Sequence, residues 1–113
     1  EALNSDFVSI WGSGKRKMQY IYIEDVVKTI FASLEVCKGI YNLSSNDYVT
    51  VKQTADRIAK FFSAKVQILK NKTEGETLPP LDNSKLVESF NFNLISEFEE
   101  SLDSYLNELK INE

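Results

Sequence analysis

Residues 7–26, FVSIWGSGKRKMQYIYIEDV, contain the pattern on which the fold prediction rests. A run of β-branched and aromatic residues, Phe7–Trp11, ends at a pair of glycines, and a second such run covers 18–23. Glu24 and Asp25 then begin a helix, because acidic side chains in a first turn are stabilised by the positive end of the helix dipole. The order strand, glycine turn, strand, helix predicts an α/β fold.

The rest of the chain continues this mixture of strands and helices. Its hydrophobic periodicity predicts further strands at 40–43 and 65–69, and helices near 25–36, 51–63, 83–91 and 96–110. Thr50 and Gln53 form a capping box at the start of the second helix. We therefore expect one compact α/β domain over 1–113, with short strands backed by about four helices. The side chains expected to be buried are Phe31, Leu34, Ile58, Phe62, Leu102 and Leu106.

The composition is that of an ordinary globular domain, with 113 residues of which 42% are hydrophobic and 27% charged. The net charge of −4 argues against non-specific binding to nucleic acid. Cys37 is the single cysteine, so no intrachain disulfide is expected and a reducing, cytoplasmic location is predicted. No apolar run approaches the ~20 residues of a membrane span, so no membrane partner is expected.

The sequence offers no catalytic constellation and no metal site. It contains no histidine, which removes the commonest general base and the commonest metal ligand. Tyr48 and Lys52 have the Tyr-x-x-x-Lys spacing of the catalytic pair in short-chain dehydrogenases, where both residues stand on one helix. Because Thr50 is expected to cap the helix, Tyr48 falls outside it, and we do not expect the two side chains to act as a pair.

The glycine turn Gly12-Ser13-Gly14 and the basic residues Lys15-Arg16-Lys17 invite a phosphate-binding interpretation. The phosphate loop of nucleotide triphosphatases is excluded, because its first glycine and the Ser or Thr after its lysine are both missing. Two interpretations of the basic residues stay open. One is a solvated surface turn, and the other is a positively charged patch that attracts a phosphorylated ligand.

Short phrases in a fixed order resemble the part of nucleotide-sugar epimerases and dehydratases that follows their nucleotide-binding core. These enzymes are extended short-chain dehydrogenase/reductases. The resemblance covers nearly the whole chain and rests on the following segments: the Gly-x-Gly-Lys and Tyr-Ile-Tyr-Ile-Glu-Asp-Val motifs within 7–26, Gly39-Ile40-Tyr41-Asn42-Leu43-Ser44, Thr50-Val51-Lys52, Leu81-Asp82-Asn83-Ser84-Lys85-Leu86 and the closing helix Ile95–Leu109.

The resemblance implies the C-terminal, substrate-binding portion of a Rossmann-type enzyme whose N-terminal NAD(P)-binding half is missing from the chain. In the family, a glycine fingerprint and a helical Tyr-x-x-x-Lys pair hold the cofactor and remove a proton during transient oxidation at sugar C4. Neither motif is present here. We expect this portion alone to hold no cofactor and no catalytic residue, and to be inactive without its NAD-dependent parent.

The resemblance also implies a site for a nucleotide-diphosphate sugar. The family's base-contacting backbone corresponds to Val8–Ile10, and its phosphate-contacting arginines correspond to Met18 and Thr73. Neighbouring lysines are expected to compensate for these arginines as point charges. The expected substrate-binding residues are Val8, Ile10, Lys15, Lys17, Gln19, Asn42, Thr73 and Glu76.

Two further expectations concern partners. A portion cut from a larger enzyme exposes apolar surface that faced the missing half, and self-association into a homodimer would cover that surface. The alternative is a stand-alone binding or interaction module with no enzymatic parent.

Overall fold

The computed structural model describes residues 1–36, 38–90 and 93–112, without the side chain of Val36. The prediction about Cys37 therefore lies outside the described residues. The elements in chain order are β1 (Phe7–Trp11), β2 (Lys17–Met18), α1 (Ile23–Val36), β3 (Val49–Thr50), α2 (Val51–Phe62), β4 (Lys65–Leu69), α3 (Ser84–Ser89) and α4 (Phe98–Ile111). The predicted α/β class, with short strands and four helices in the described residues, is confirmed.

The chain divides into two compact units. The first unit consists of Glu1–Met18, Val49–Pro79 and Leu109–Glu113, and the second consists of Gln19–Tyr48 and Pro80–Glu108. The expectation of a single domain stays a prediction.

The first unit is built on a parallel pair of strands. β1 pairs with β4 from Phe7 opposite Lys65 to Trp11 opposite Leu69. Helix α2 packs on these strands, and its Ala55 is buried in the same unit as Ile10. The predicted capping box is confirmed: the Thr50 hydroxyl accepts from the Gln53 N–H, and the Gln53 side chain accepts from the Thr50 N–H.

The predicted strand at 18–23 is wrong beyond Met18. β2 pairs antiparallel with β3 over only two positions, with Lys17 opposite Thr50. At the Lys17 end the ladder stops because Thr50 is the N-cap of α2 and the next residue, Val51, is already helical. On the other side, the Tyr22 carbonyl accepts from the N–H groups of Asp25 and Val26, so helix α1 has begun where the strand was expected to continue.

The second unit has its core around Leu86, Leu94 and Ile95. The predicted strand at 40–43 is wrong, because these residues have no strand ladder. A side-chain hydrogen bond links this segment to another part of the unit instead: the Asn42 amide donates to the Asp82 carbonyl at 2.8 Å. The alternation that suggested a strand is nevertheless real, since Tyr41 and Leu43 pack on the core while Ile40 and Asn42 are exposed.

The burial predicted for the apolar stripe of α1 is also wrong. Phe31 is 69% exposed and Leu34 is 76% exposed. In the second unit, α1 turns Ala32 towards the core instead. A helix that has small and polar residues on one side and large apolar residues on another can pack by either side, and periodicity does not decide between them. Of the other predicted core residues, Leu106 is buried, whereas Ile58, Phe62 and Leu102 are half-buried.

Asp25 makes a buried polar contact within the second unit. Its side chain is 1% exposed, and its carboxylate accepts from the Ser96 N–H at 2.8 Å and from the Ser96 hydroxyl at 2.7 Å. The contact ties the first turn of α1 to the segment that precedes α4. A buried carboxylate needs such donors, because an unpaired buried charge is strongly destabilising.

We expect Asp25→Ala to lower the free energy of unfolding by about 2–3 kcal/mol, because the change leaves the Ser96 donors without their acceptor. The control is Glu24→Ala, which removes the neighbouring exposed carboxylate from the same first turn and should cost less than about 1 kcal/mol. Urea unfolding followed by circular dichroism measures both. Equal losses in the two variants would contradict the role given to Asp25.

Candidate functional site

The chain leaves β1 through a tight glycine turn. Gly12 and Gly14 have φ values of +81° and +75°, in the left-handed region that disfavours other residues. Space is restricted as well: a side chain at Gly12 would collide with that of Glu74. A Cβ atom at Gly14 would lie 3.2 Å from the Cβ of Lys52.

The backbone of this turn presents different groups on its two sides. The Gly14 carbonyl accepts from the Lys52 N–H at 3.0 Å, and the Arg16 carbonyl accepts from the Val51 N–H at 2.8 Å. These bonds satisfy the first two N–H groups of α2, which have no partner inside the helix. With its carbonyls engaged by α2, the turn directs N–H groups to its other side.

Those N–H groups bind the carboxylate of Glu74. The carboxylate accepts from the Ser13 N–H at 3.1 Å, from the Ser13 hydroxyl at 2.8 Å and from the Arg16 N–H at 3.2 Å. The hydrogen bond from the Ser13 N–H is the main cause that lowers the pKa of Glu74, followed by those from the Ser13 hydroxyl and from the N–H groups of Arg16 and Gly14. Donors aimed at a carboxylate favour its charged form.

Side-chain contacts add to this attachment between the turn and residues 73–77. Arg16 Nε donates to the Glu76 carbonyl at 2.9 Å, and the guanidinium lies so close to Gly75 that a Cβ atom there would be 2.6 Å from Nη1. The Lys17 N–H donates to the Thr77 hydroxyl at 3.2 Å. The glycine turn and this segment therefore interlock at both Gly12 and Gly75.

A second carboxylate binds the edge of β1. Glu1 accepts from the Ser9 hydroxyl at 2.6 Å and from the Ser9 N–H at 3.0 Å, and these bonds lower the pKa of Glu1. The sequence predicted substrate contacts at Val8 and Ile10. Because the Ile10 side chain is buried, only its backbone is available for such a contact.

Six of the predicted site residues lie in the first unit. The segments that carry Lys17 and Glu76 are in contact, because the Lys17 N–H donates to the Thr77 hydroxyl and Arg16 Nε donates to the Glu76 carbonyl. Lys15 and Thr73 are exposed beside the same interlocked segments.

Gln19 and Asn42 lie in the second unit, where their side-chain amides form hydrogen bonds with backbone groups. Gln19 donates to the carbonyls of Ser45 and Leu81 and accepts from the Leu81 N–H at 2.8 Å. The Asn42 amide donates to the Asp82 carbonyl. A substrate-binding role for these two residues stays a prediction.

Sequence reasoning missed two residues of this region. Trp11 is 60% exposed, and its ring lies 5.6 Å from Lys72 Nζ. An exposed aromatic at the end of a strand beside basic residues was a visible signal. The position of Glu74 in the glycine turn was not visible, because it depends on a contact between residues about 60 positions apart.

In the described residues, the glycine turn differs from that of a dinucleotide-binding site. Such a site needs a strand that passes through its glycine turn into a helix N-terminus, where the pyrophosphate binds. Here the glycine turn after β1 leads into β2, and α2 follows β3 without a glycine. As expected, Tyr48 lies outside helix α2, which begins at Val51.

Two kinds of feature are absent from the described residues. Within 1–36, 38–90 and 93–112, no group of three or more His, Cys, Asp or Glu side chains is arranged to hold a metal ion. Over the same part of the chain, no helix combines the length and apolar character needed to cross a membrane.

We expect the stability that Glu74 contributes to disappear in acid. Its pKa is lowered in the folded protein, so the contribution is complete above the unfolded value and is lost as pH falls through the folded value. The stability of the natural chain relative to Glu74→Gln should therefore decrease as the pH falls below the ordinary pKa of a glutamate carboxyl. Urea unfolding at each pH measures this difference.

The control for this experiment is Glu76→Gln, which removes the same charge from the same segment. Glu76 meets the turn through its backbone carbonyl. If both variants gave the same pH profile, general electrostatics rather than the Ser13 and Arg16 donors would explain the result.

Comparison with known proteins gives structural matches alone. No family model matches the chain, and no curated protein matches it. A dTDP-glucose 4,6-dehydratase from Bacillus anthracis matches with a TM-score of 0.84, 17% identity and coverage of 99% of this chain and 37% of that one. A GDP-L-fucose synthetase from Naegleria fowleri matches with a TM-score of 0.81, 19% identity and coverage of 94% and 34%.

A third match was solved with a bound ligand. The UDP-N-acetylglucosamine 4-epimerase from Methanobrevibacter ruminantium M1, solved in complex with UDP-N-acetylmuramic acid, has a TM-score of 0.76, 21% identity and coverage of 93% and 35%. The chain thus spans about a third of the length of the enzymes that it matches. It has the fold of a part of the extended short-chain dehydrogenase/reductases that act on nucleotide sugars.

Proposed function

We propose that this chain is the nucleotide-sugar-binding, C-terminal portion of an NAD-dependent epimerase or dehydratase that acts at sugar C4. The observation that carries the proposal is the extent of the fold likeness, which covers 93–99% of this chain in three nucleotide-sugar enzymes and only 34–37% of each enzyme. The part of such an enzyme that binds the cofactor would belong to the remainder.

The proposed substrate contacts of the first unit lie around the end of β1. Lys15 and Lys17 are exposed on the turn and on β2, and Lys72 lies over the Trp11 ring. These ammonium groups supply positive charge for a diphosphate. The Trp11 ring offers a flat apolar surface for a base or a sugar.

The role of this chain in the proposed reaction is to bind and orient the substrate. In the described residues the glycine turn after β1 leads into β2 and not into a helix N-terminus, and we therefore assign hydride chemistry to the proposed N-terminal half. Binding energy from the nucleotide diphosphate, which does not react, would position the sugar for chemistry elsewhere.

The exposed stripe of α1 supports the proposal that a second half exists. Its side chains are exposed by 45–76%, and they are Ile23, Val27, Ile30, Phe31 and Leu34. An apolar stripe of this kind on one helix indicates an interaction surface. We propose that the N-terminal NAD-binding half covers it.

Isolated chain should bind UDP-glucose with a Kd in the millimolar range or weaker, about 4 kcal/mol or less. Trp11 is the single tryptophan, so its fluorescence and the amide shifts of residues 8–18 and 70–76 report on the site. Met18→Arg should tighten binding roughly tenfold to a hundredfold by restoring one charge-assisted hydrogen bond.

Met18→Gln is the matched control, because it adds a polar side chain without charge. If UDP-glucose shifted only residues of α4, the proposed contacts would be in the wrong place. If Met18→Arg gave no gain over Met18→Gln, position 18 would not face the diphosphate.

The exposed stripe of α1 should make the isolated chain self-associate. Light scattering over a range of concentrations is expected to show dimers or larger species, and Phe31→Ser with Leu34→Ser should restore the monomer. Ile111→Ser, which removes an apolar side chain that is 82% exposed at the end of α4, is the control. A chain that stays monomeric at every concentration would count against a missing partner surface.

A further inference from the structure

We propose that the turn Gly12–Arg16 is an anion-binding site that Glu74 keeps occupied, and that a phosphate group binds there by displacing this carboxylate. The inference goes beyond the proposed function, because a backbone anion site binds phosphate whatever molecule carries it. The site consists of the N–H groups of Ser13 and Arg16 and the Ser13 hydroxyl.

The geometry of the turn is that of a general anion site. Its donors converge on one carboxylate at 2.8–3.2 Å, and two glycines with positive φ give the backbone its concave form. Successive N–H groups in such conformations form concavities that bind anions, including phosphates. The carbonyls of Gly14 and Arg16 accept hydrogen bonds from N–H groups of α2. These carbonyl oxygens therefore do not point towards an anion that the N–H groups of the turn bind.

The charges around Glu74 also favour an anion. The turn itself carries Lys15, Arg16 and Lys17, and the loop contributes Glu76. From α2, Lys52 pairs with Asp56 at 2.6 Å, so these two charges largely cancel. The positively charged turn therefore attracts a phosphate more strongly than it attracts a single carboxylate.

The Glu74 side chain can leave without dismantling the unit. It lies on a segment, 73–80, that has no helix or strand. That segment remains attached through the bonds from Arg16 to Glu76 and from Lys17 to Thr77, neither of which uses the Glu74 side chain. Glu74 is thus a gate: the apparent phosphate affinity equals the intrinsic affinity multiplied by the fraction of time for which Glu74 leaves the turn free.

The test is a titration with inorganic pyrophosphate, followed by the amide shifts of Ser13 and Arg16. Glu74→Ala should bind pyrophosphate at least about tenfold more tightly than the natural chain. Asp6→Ala removes an equal charge from an exposed position of the same unit, just before β1, and should change the affinity by less than about threefold. Equal gains in the two variants, or shifts confined to other residues, would overturn the inference.

A measurement on the natural chain keeps the test decisive if Glu74→Ala does not fold. At saturating pyrophosphate, the side-chain carboxyl carbon of Glu74 should move to the NMR shift of a solvated glutamate, together with changes at the Ser13 and Arg16 amides. A Glu74 carboxyl resonance that stays fixed while pyrophosphate binds would show that no displacement occurs.

A parallel titration with UDP-glucose separates this inference from the proposed function. Pyrophosphate binding at Ser13 and Arg16 without any UDP-glucose binding would support the anion site and contradict the nucleotide-sugar proposal. UDP-glucose binding that leaves the Ser13 and Arg16 amides and Glu74 unchanged would do the reverse.

Discussion

The hydrogen bonds that Glu74 accepts from the glycine turn are the contact on which the first unit's candidate site depends. They join residues that are about 60 positions apart in the chain. The same turn satisfies the first N–H groups of α2 through its carbonyls. One short segment therefore completes a helix N-terminus on one side and holds an anion on the other, which is why both of its glycines have a positive φ.

Much of this fold could be predicted from local sequence. β1, β4 and the four helices were found because their periodicity, and at α2 a capping box, act within a few residues. The short strands at 18–23 and 40–43 were over-predicted, because β-propensity does not say whether a partner strand is available. The side of α1 that packs was also misjudged, since Asp25 and its bonds to Ser96 decide it through a distant contact.

Less of the candidate site than of the fold could be predicted from the sequence. Lys15 and Lys17 were identified from the charge of the turn, and they are exposed as a ligand contact requires. Glu74 was passed over, because an acidic residue in a loop ordinarily has no defined partner. Its role depends on the three-dimensional convergence of donors from Ser13 and Arg16, which no spacing along the chain encodes.

Reading the coding sequence upstream of Glu1 is the most direct test of the proposal that this chain is one portion of a nucleotide-sugar enzyme. We expect an open reading frame that continues upstream for about two thirds of a full-length enzyme, the share that the chain leaves uncovered in its structural matches. That frame should encode a strand, a Gly-x-x-Gly-x-x-Gly turn and a helix, and further on a helical Tyr-x-x-x-Lys pair. A start codon immediately before Glu1, with no such frame, would contradict the claim and favour a stand-alone binding module.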